Sequence, residues 1–149
     1  MEIRHISNTI SVRGFSVETN NKAEFSQHGK IPGLWQRFDN TIPVDYVGGE
    51  RVYGVYFNYE SDHAGSFSVL AGYDGKKVPE NAEVENITIP QGKYLVFTKQ
   101  GEMPQIAIDA WTDVWKYFTQ ENAGYERTFT VDFEHYVNGN HIDVYIAIK

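Results

Sequence analysis

Acidic and aromatic side chains alternate in one segment near the C-terminal end of the chain. From Asp132 to Tyr136, the side chains of Asp132, Glu134 and Tyr136 share one face of a predicted strand. An aromatic ring attracts a positive charge through its quadrupole, and a carboxylate in an apolar cleft adds a Coulomb attraction that water screens weakly. Side chains of this kind on one face suit the binding of a flat organic cation.

Two other predicted strands carry comparable polar faces. In the predicted strand Val52–Tyr59, Tyr56 and Asn58 alternate with apolar residues. In the predicted strand Ile142–Ile148, Tyr145 alternates with valine and isoleucine. Asn58 then takes the position in the first half of the chain that Glu134 takes in the second. If these faces meet, they enclose tyrosines, an amide and a carboxylate. The alternative is a solvated sheet surface, which the acidic residues keep soluble.

Motifs for catalysis, metals and nucleotides are missing from the sequence. The chain has five histidines and no cysteine, and no histidine pair has the spacing of a zinc protease. The sequence contains neither the phosphate-binding motif G-x-x-x-x-G-K-[ST] nor the dinucleotide-binding motif G-x-G-x-x-G. Glu134 with Asp132 or His135 is an acid/base pair that the sequence permits. We expect no cofactor and no metal, and the sequence favours binding over catalysis.

Size and charge narrow the function classes further. The 149 residues are 41% hydrophobic and carry a net charge of -7, which is typical of one folded domain spanning residues 1–149. A negative field repels nucleic-acid backbones and anionic membranes, so we expect neither as a partner. The chain contains no run of eighteen apolar residues, and its first residues do not resemble a signal peptide. These features predict a cytoplasmic protein, and they leave monomer and dimer open.

Six segments are rich in β-branched and aromatic residues, which is typical of half-buried strands. The predicted strands are Thr9–Val17, Val52–Tyr59, Phe67–Tyr73, Lys93–Thr98, Thr128–Tyr136 and Ile142–Ile148. The stretch from Gly75 to Glu85 is predicted to be a long loop.

Two segments are predicted to be helices. One runs from about Pro104 to Asn122, and its apolar stripe includes Ile108 and Trp111. The other lies between Ala23 and Phe38, and its glycines and proline indicate that it is kinked or begins only near Pro32.

The two halves of the chain align with a shift of about eighty residues. The segment from Gly33 to Phe38 lies over the segment from Asp113 to Phe118, so that Trp35 aligns with Trp115. Each half gives the order strand, helix, strand, strand. We therefore predict an α+β fold of two pseudo-twofold βαββ repeats, with antiparallel sheets, one helix in each repeat and a central groove.

Several motifs also resemble a known family. They are LWQRF at residues 34–38, VYGVY at 52–56, IPQGKYLVF at 89–97, the segment from Trp111 to Phe118, DFEHY at 132–136 and VYIAIK at 144–149. Together they are similar to the gyrase-inhibitor-like family, whose domain is also the effector-binding domain of AraC-type and MerR-type multidrug regulators. The resemblance covers nearly the whole chain.

The resemblance implies a ligand groove between two βαββ repeats. In drug-binding members, the glutamate that matches Glu134 faces a pocket of aromatic side chains and neutralises lipophilic cations. The resemblance implies that the pocket walls of this chain are formed by Tyr56, Trp111, Tyr136 and Tyr145. It also implies a free-standing binding protein without a helix-turn-helix.

Other members of the family have different roles. Some inhibit gyrase, and some resemble hydrolases that open strained rings. Three functions therefore stay open beside that of a binding module. They are those of a gyrase inhibitor, of a partner of a separate regulator, and of a hydrolase with Glu134 as general base.

Overall fold

Eight strands and three helices make up the computed structural model, which describes residues 1–149. The strands are β1 (Glu2–Ile6), β2 (Ile10–Asn20), β3 (Val52–Phe57), β4 (Ser66–Tyr73), β5 (Glu85–Ile89), β6 (Gly92–Gln100), β7 (Asp132–Asn138) and β8 (His141–Ala147). The helices are α1 (Asn21–Glu24), α2 (Ile31–Thr41) and α3 (Gln105–Phe118). None of these helices combines the length and the apolar character needed to cross a membrane.

All eight strands belong to one antiparallel sheet, in the order β1-β6-β8-β7-β3-β4-β2-β5. The α+β class is confirmed, but the predicted separate sheets are one sheet because β3 pairs directly with β7 and joins the two halves of the chain. The strand order is compatible with two related repeats, and the pseudo-twofold relation stays a prediction.

One face of the sheet curls over a core made of strand residues alone. This cluster of ten buried residues includes Val12 of β2 and Tyr94 of β6, which belong to strands near opposite edges of the sheet. Phe133 and Tyr145 stack at its centre, with ring centroids 4.3 Å apart. The sheet is therefore bent into a half-barrel that buries its concave face without any helix.

Two helices cover parts of the other face. Buried Leu34 and Phe38 place α2 against β2 and β4, and buried Ala110 and Val114 place α3 against β6 and β8. The central pair of strands, β3 and β7, lies between these two regions. Because neither helix covers that pair, the gap between the helices has β3 and β7 as its floor.

The helices differ from the predicted ones at their ends. The α2 helix begins at Ile31 with Pro32 in its first turn, and the Glu24 carboxylate accepts hydrogen bonds from the backbone N–H groups of Lys30 and Ile31. The α3 helix ends at Phe118, four residues before the predicted end at Asn122.

The apolar stripe of α3 is also displaced from the predicted one. The buried positions Ile106, Ala110 and Val114 recur every four residues and face the sheet. Ile108 is 55% exposed because it points away from this stripe.

The strands differ from prediction in two unpredicted edge strands and in the start of β7, while β2, β3 and β6 end two or three residues from their predicted ends. The edge strands β1 and β5 were not predicted, because both are five residues long and mostly polar or partly exposed. The β7 strand begins at Asp132 instead of Thr128. Phe129 has a φ of 53°, and this left-handed conformation prevents the preceding residues from extending the strand. Phe129 therefore packs beside Arg127 and outside the core.

Candidate ligand-binding site

A cavity of about 1000 Å³ opens between α2 and α3, above the central strands. Fourteen of its 24 lining residues are hydrophobic. Trp35 of α2 forms one wall, and Trp111 and Trp115 of α3 form the opposite wall. Tyr56 of β3 and Tyr136 of β7 lie on the floor. The rings contact one another, with centroids of Tyr56 and Trp111 at 4.9 Å and of Trp35 and Tyr136 at 5.4 Å.

Glu134 lies at the bottom of this cavity and is 3% exposed. Its Oε2 accepts hydrogen bonds from Trp111 Nε1 at 2.7 Å and from the Tyr56 hydroxyl at 3.1 Å. Its Oε1 accepts a hydrogen bond from the Tyr136 hydroxyl at 2.9 Å. The donors come from α3, β3 and β7, so the carboxylate is held by both halves of the chain.

The Glu134 charge has no positive partner in the protein. No lysine, arginine or histidine forms an ion pair with it. Burial raises the pKa of Glu134, and the three hydrogen bonds offset only part of that rise. Burial and the Glu134 charge also raise the pKa of the Tyr56 and Tyr136 hydroxyls well above the usual range, so both stay protonated and donate. The cavity floor is therefore negative, with room for a cation.

Gly54 makes space for the carboxylate. It lies directly opposite Glu134 in the pairing of β3 and β7, and a Cβ added at Gly54 would overlap Glu134 Oε1. Sequence reasoning missed this role. The sequence did contain an indication of it, because a glycine inside a predicted strand often marks a place where another group approaches the backbone closely.

Four of the six predicted site residues come together in the cavity, namely Glu134, Tyr56, Trp111 and Tyr136. Tyr145 does not, because β8 pairs with β7 so that Tyr145 lies opposite Phe133 and shares the concave face. Its hydroxyl accepts a hydrogen bond from Arg4 Nη1 at 2.7 Å. The prediction that Tyr145 shares a face of the sheet with Glu134 is therefore wrong.

Asn58 is also outside the cavity. It follows the end of β3, is exposed and has a φ of 52°, so the strand alternation that predicted its direction no longer applies there. The predicted equivalence of Asn58 and Glu134 is not found.

The acid/base pairs that the sequence permitted do not form. His135 lies on the concave face, where its ring stacks on Tyr53 at 4.9 Å. Asp132 is bound to Arg127 Nη2 at 2.7 Å. No group of three histidine, aspartate or glutamate residues is arranged to hold a metal ion.

Several lining residues were not predicted, among them Trp35, Trp115, Tyr59 and Arg127. The alignment of the two halves contained a usable signal for the first two, because it placed Trp35 over Trp115. Arg127 and Tyr59 had no such signal, because both lie outside the regular strands.

Comparison with known proteins adds a family match. The sequence profile of Cass2, the integron-associated effector binding protein, matches residues 7–148. A solved integron cassette protein of Vibrio cholerae is 37% identical, with 99% of this chain and 95% of that chain covered and a TM-score of 0.89.

Two curated relatives are named as transcriptional regulators. YobU of Bacillus subtilis is 28% identical across 91% of this chain and 90% of its own length. BrlR of Pseudomonas aeruginosa is 31% identical across 80% of this chain, and the match spans 48% of BrlR.

A further solved structure shares the fold. It is of a protein bound to tetraphenylphosphonium, with 21% identity, a TM-score of 0.73 and coverage of 99% of this chain and 93% of that chain.

Proposed function

Because this chain belongs to the family of integron-associated effector-binding proteins, we propose that it binds lipophilic or aromatic organic cations in the cavity above β3 and β7. The resemblance to gyrase-inhibitor-like domains is confirmed by the same match and by the solved neighbours. One observation carries the proposal: the Glu134 carboxylate is buried at the base of an aromatic cavity and no protein cation neutralises it.

The energetics of this site favour a cation over other ligands. A buried charge is costly when it has no partner, and a bound cation provides one. Each ring that faces the cation adds about 0.5–2 kcal/mol, depending on how completely water is removed. Apolar substituents on the ligand gain further from burial against the walls. An anion of the same shape loses the Coulomb attraction and meets repulsion from Glu134 instead.

The comparisons support this choice of ligand class. A protein with the same fold binds tetraphenylphosphonium, which is a lipophilic cation with four aromatic rings. The cavity here is lined by three tryptophans and by tyrosines from the central strands. The relatives named as regulators support a role in sensing or sequestering such compounds.

A pair of probes with the same shape and opposite charge tests the proposal. We expect tetraphenylphosphonium to quench the tryptophan fluorescence of the protein in a saturable way, because Trp35, Trp111 and Trp115 line the cavity. Tetraphenylborate has nearly the same size and apolar surface but a negative charge, so we expect it to bind at least tenfold more weakly. Calorimetric titration of both probes measures the difference. Equal binding of the two ions would contradict a role for charge.

The affinity for a permanent cation should depend on pH through Glu134. Burial raises the pKa of Glu134 in the empty cavity, and a bound cation favours the ionised form. Affinity is therefore constant above the raised pKa. Below it, affinity falls by up to about tenfold for each pH unit, because the carboxyl must release its proton before the cation binds.

The measurement is a titration of tetraphenylphosphonium at several pH values, with Glu134→Gln as the control. Other titratable groups also border the cavity, including His63, Asp39 and Glu24. Only the part of the pH dependence that disappears in Glu134→Gln belongs to Glu134. A pH profile that is identical in both proteins would rule out this linkage.

We propose that residues 1–149 form one effector-binding domain, that its two βαββ halves are related repeats, and that it acts by binding without catalysis. The strand order and the alignment of Trp35 with Trp115 support the repeat. A gyrase or regulator partner stays a prediction from the resemblance.

A further inference from the structure

A second polar centre borders the same cavity. Arg127 is among the lining residues, and its side chain is 7% exposed. Its Nη2 donates to Asp132 Oδ2 at 2.7 Å. Asp132 is fully buried and also accepts hydrogen bonds from the Tyr59 hydroxyl at 2.6 Å and from the backbone N–H of Ala147 at 2.8 Å. Asp132 is thus saturated by its partners, and Arg127 is held in place.

Arg127 has more donors than the protein uses. A guanidinium carries five N–H groups, and Arg127 uses some of them for Asp132 and for the Tyr59 hydroxyl beside it. Its Nε is buried and has no acceptor. The ring of Phe129 lies over the guanidinium at 4.3 Å, but a ring over the flat face does not replace an oxygen in the plane of the N–H groups. Nε is closed off from the cavity, so an acceptor that arrives with a ligand pairs with the part of the guanidinium that borders the cavity.

Arg127 and Glu134 both line the cavity. Asp132 and Glu134 alternate in β7 and share one face, which separates them by roughly 7 Å along the strand. Arg127 is paired with Asp132, which lies two residues from Glu134 in β7, so one cavity is lined by a negative carboxylate and by a guanidinium.

We infer that the cavity selects lipophilic cations that also carry a neutral hydrogen-bond acceptor, such as an ester, amide or ketone oxygen, placed to reach Arg127. This inference rests on the proposed function, because the cation occupies the Glu134 site. The acceptor is neutral because Asp132 already compensates the Arg127 charge. A ligand carboxylate would meet two protein carboxylates against one guanidinium, so it is disfavoured.

Three phosphonium probes of matched length test this selectivity. Each has a triphenylphosphonium head and a four- or five-atom chain that ends in an ethyl ester, a plain alkyl group or a carboxylate. We expect wild-type protein to bind the ester about tenfold more tightly than the alkyl probe, since a hydrogen bond to a charged donor contributes at least that factor. The carboxylate probe should bind more weakly than the alkyl probe.

A paired substitution isolates Arg127. The double variant Arg127→Gln/Asp132→Asn removes both charges together, so that no buried carboxylate is left unpaired. We expect the ester and alkyl probes to bind this variant equally. If the double variant does not fold, Arg127→Lys keeps the charge near Asp132 but removes the guanidinium fork, and the ester preference should fall there too.

The control is Arg4→Gln/Asp143→Asn. Arg4 pairs with Asp143 and donates to Tyr145, much as Arg127 pairs with Asp132 beside Tyr59, but it lies outside this cavity. The ratio of ester to alkyl affinity should stay at its wild-type value in this control.

Two failures are distinguishable. The role of Arg127 is wrong if the ester probe binds wild-type protein no more tightly than the alkyl probe, or if the ester preference persists in the Arg127 variants. In either case the proposed function stands, provided that the alkyl probe binds and its binding needs Glu134. If no probe binds wild-type protein, or if binding ignores Glu134→Gln, the proposed function itself fails.

Discussion

Glu134→Gln is expected to lower the affinity for tetraphenylphosphonium by about a hundredfold. Losing one partner of a buried charge pair costs about 2–5 kcal/mol, and each 1.4 kcal/mol corresponds to a factor of ten. Glutamine has the same shape, and its oxygen still accepts a hydrogen bond from Trp111, so the walls of the cavity stay in place. Calorimetric titration of both proteins measures the loss.

The same substitution should make the empty protein more stable at neutral pH, by about 1 kcal/mol, because a buried charge without an ionic partner is replaced by a neutral group. The sign follows from the raised pKa of Glu134. Its contribution to stability is fully present at low pH, where the carboxyl is protonated, and is lost as pH rises through the folded-state pKa. Thermal unfolding at pH 7 should show a melting temperature about 2–4 °C higher in the variant.

A second acid at the cavity provides the control. Asp39 lines the same cavity but is exposed, so water and salt screen its charge. Asp39→Asn should change the affinity by no more than about threefold. If Asp39→Asn and Glu134→Gln weaken binding equally, the general negative field of the protein explains the attraction, and the specific role of Glu134 is refuted.

Gly54→Ala is expected to displace the Glu134 carboxylate. The added methyl group overlaps Oε1, and the side chain of Trp35 lies 3.2 Å from the new Cβ on another side. Overpacking of this kind costs about 1–3 kcal/mol of stability. Because the carboxylate can no longer lie over β3, its hydrogen bonds with Tyr56 and Tyr136 are broken, and affinity for the cation should fall at least tenfold. Denaturant unfolding and calorimetric titration measure the two effects.

Two further variants separate local crowding from a general effect of alanine. Gly33 lies in α2 with nothing within 4 Å of an added Cβ, so Gly33→Ala should preserve binding and stabilise the protein by about 0.4–1 kcal/mol. Adding Glu134→Asp to Gly54→Ala shortens the carboxylate and should restore part of the lost stability. If the double variant is as unstable as the sum of both single changes, the clash with Glu134 is not the cause.

The strand alternation predicted which residues of β7 share a face, and this part was sufficient to group Glu134 with Tyr136. It could not predict the pairing of β7 with β8. A shift of one residue in that pairing moves every side chain of β8 to the other face, and nothing local in the sequence distinguishes the two alternatives. The placement of Tyr145 was wrong for this reason. Both faces of β8 are buried, so the hydrophobic pattern of this strand did not identify the ligand side.

Local sequence was informative wherever the physical cause is local. The period of the apolar residues, the proline in the first turn of α2 and the internal alignment predicted most strands, the two long helices and their order. The burial of Glu134, its three donors from three elements, and the cavity that it shares with Arg127 depend on contacts between residues far apart in the chain. Such contacts exist only after β3 pairs with β7 and the two helices leave that pair uncovered, because the packing of the whole sheet determines where the gap lies.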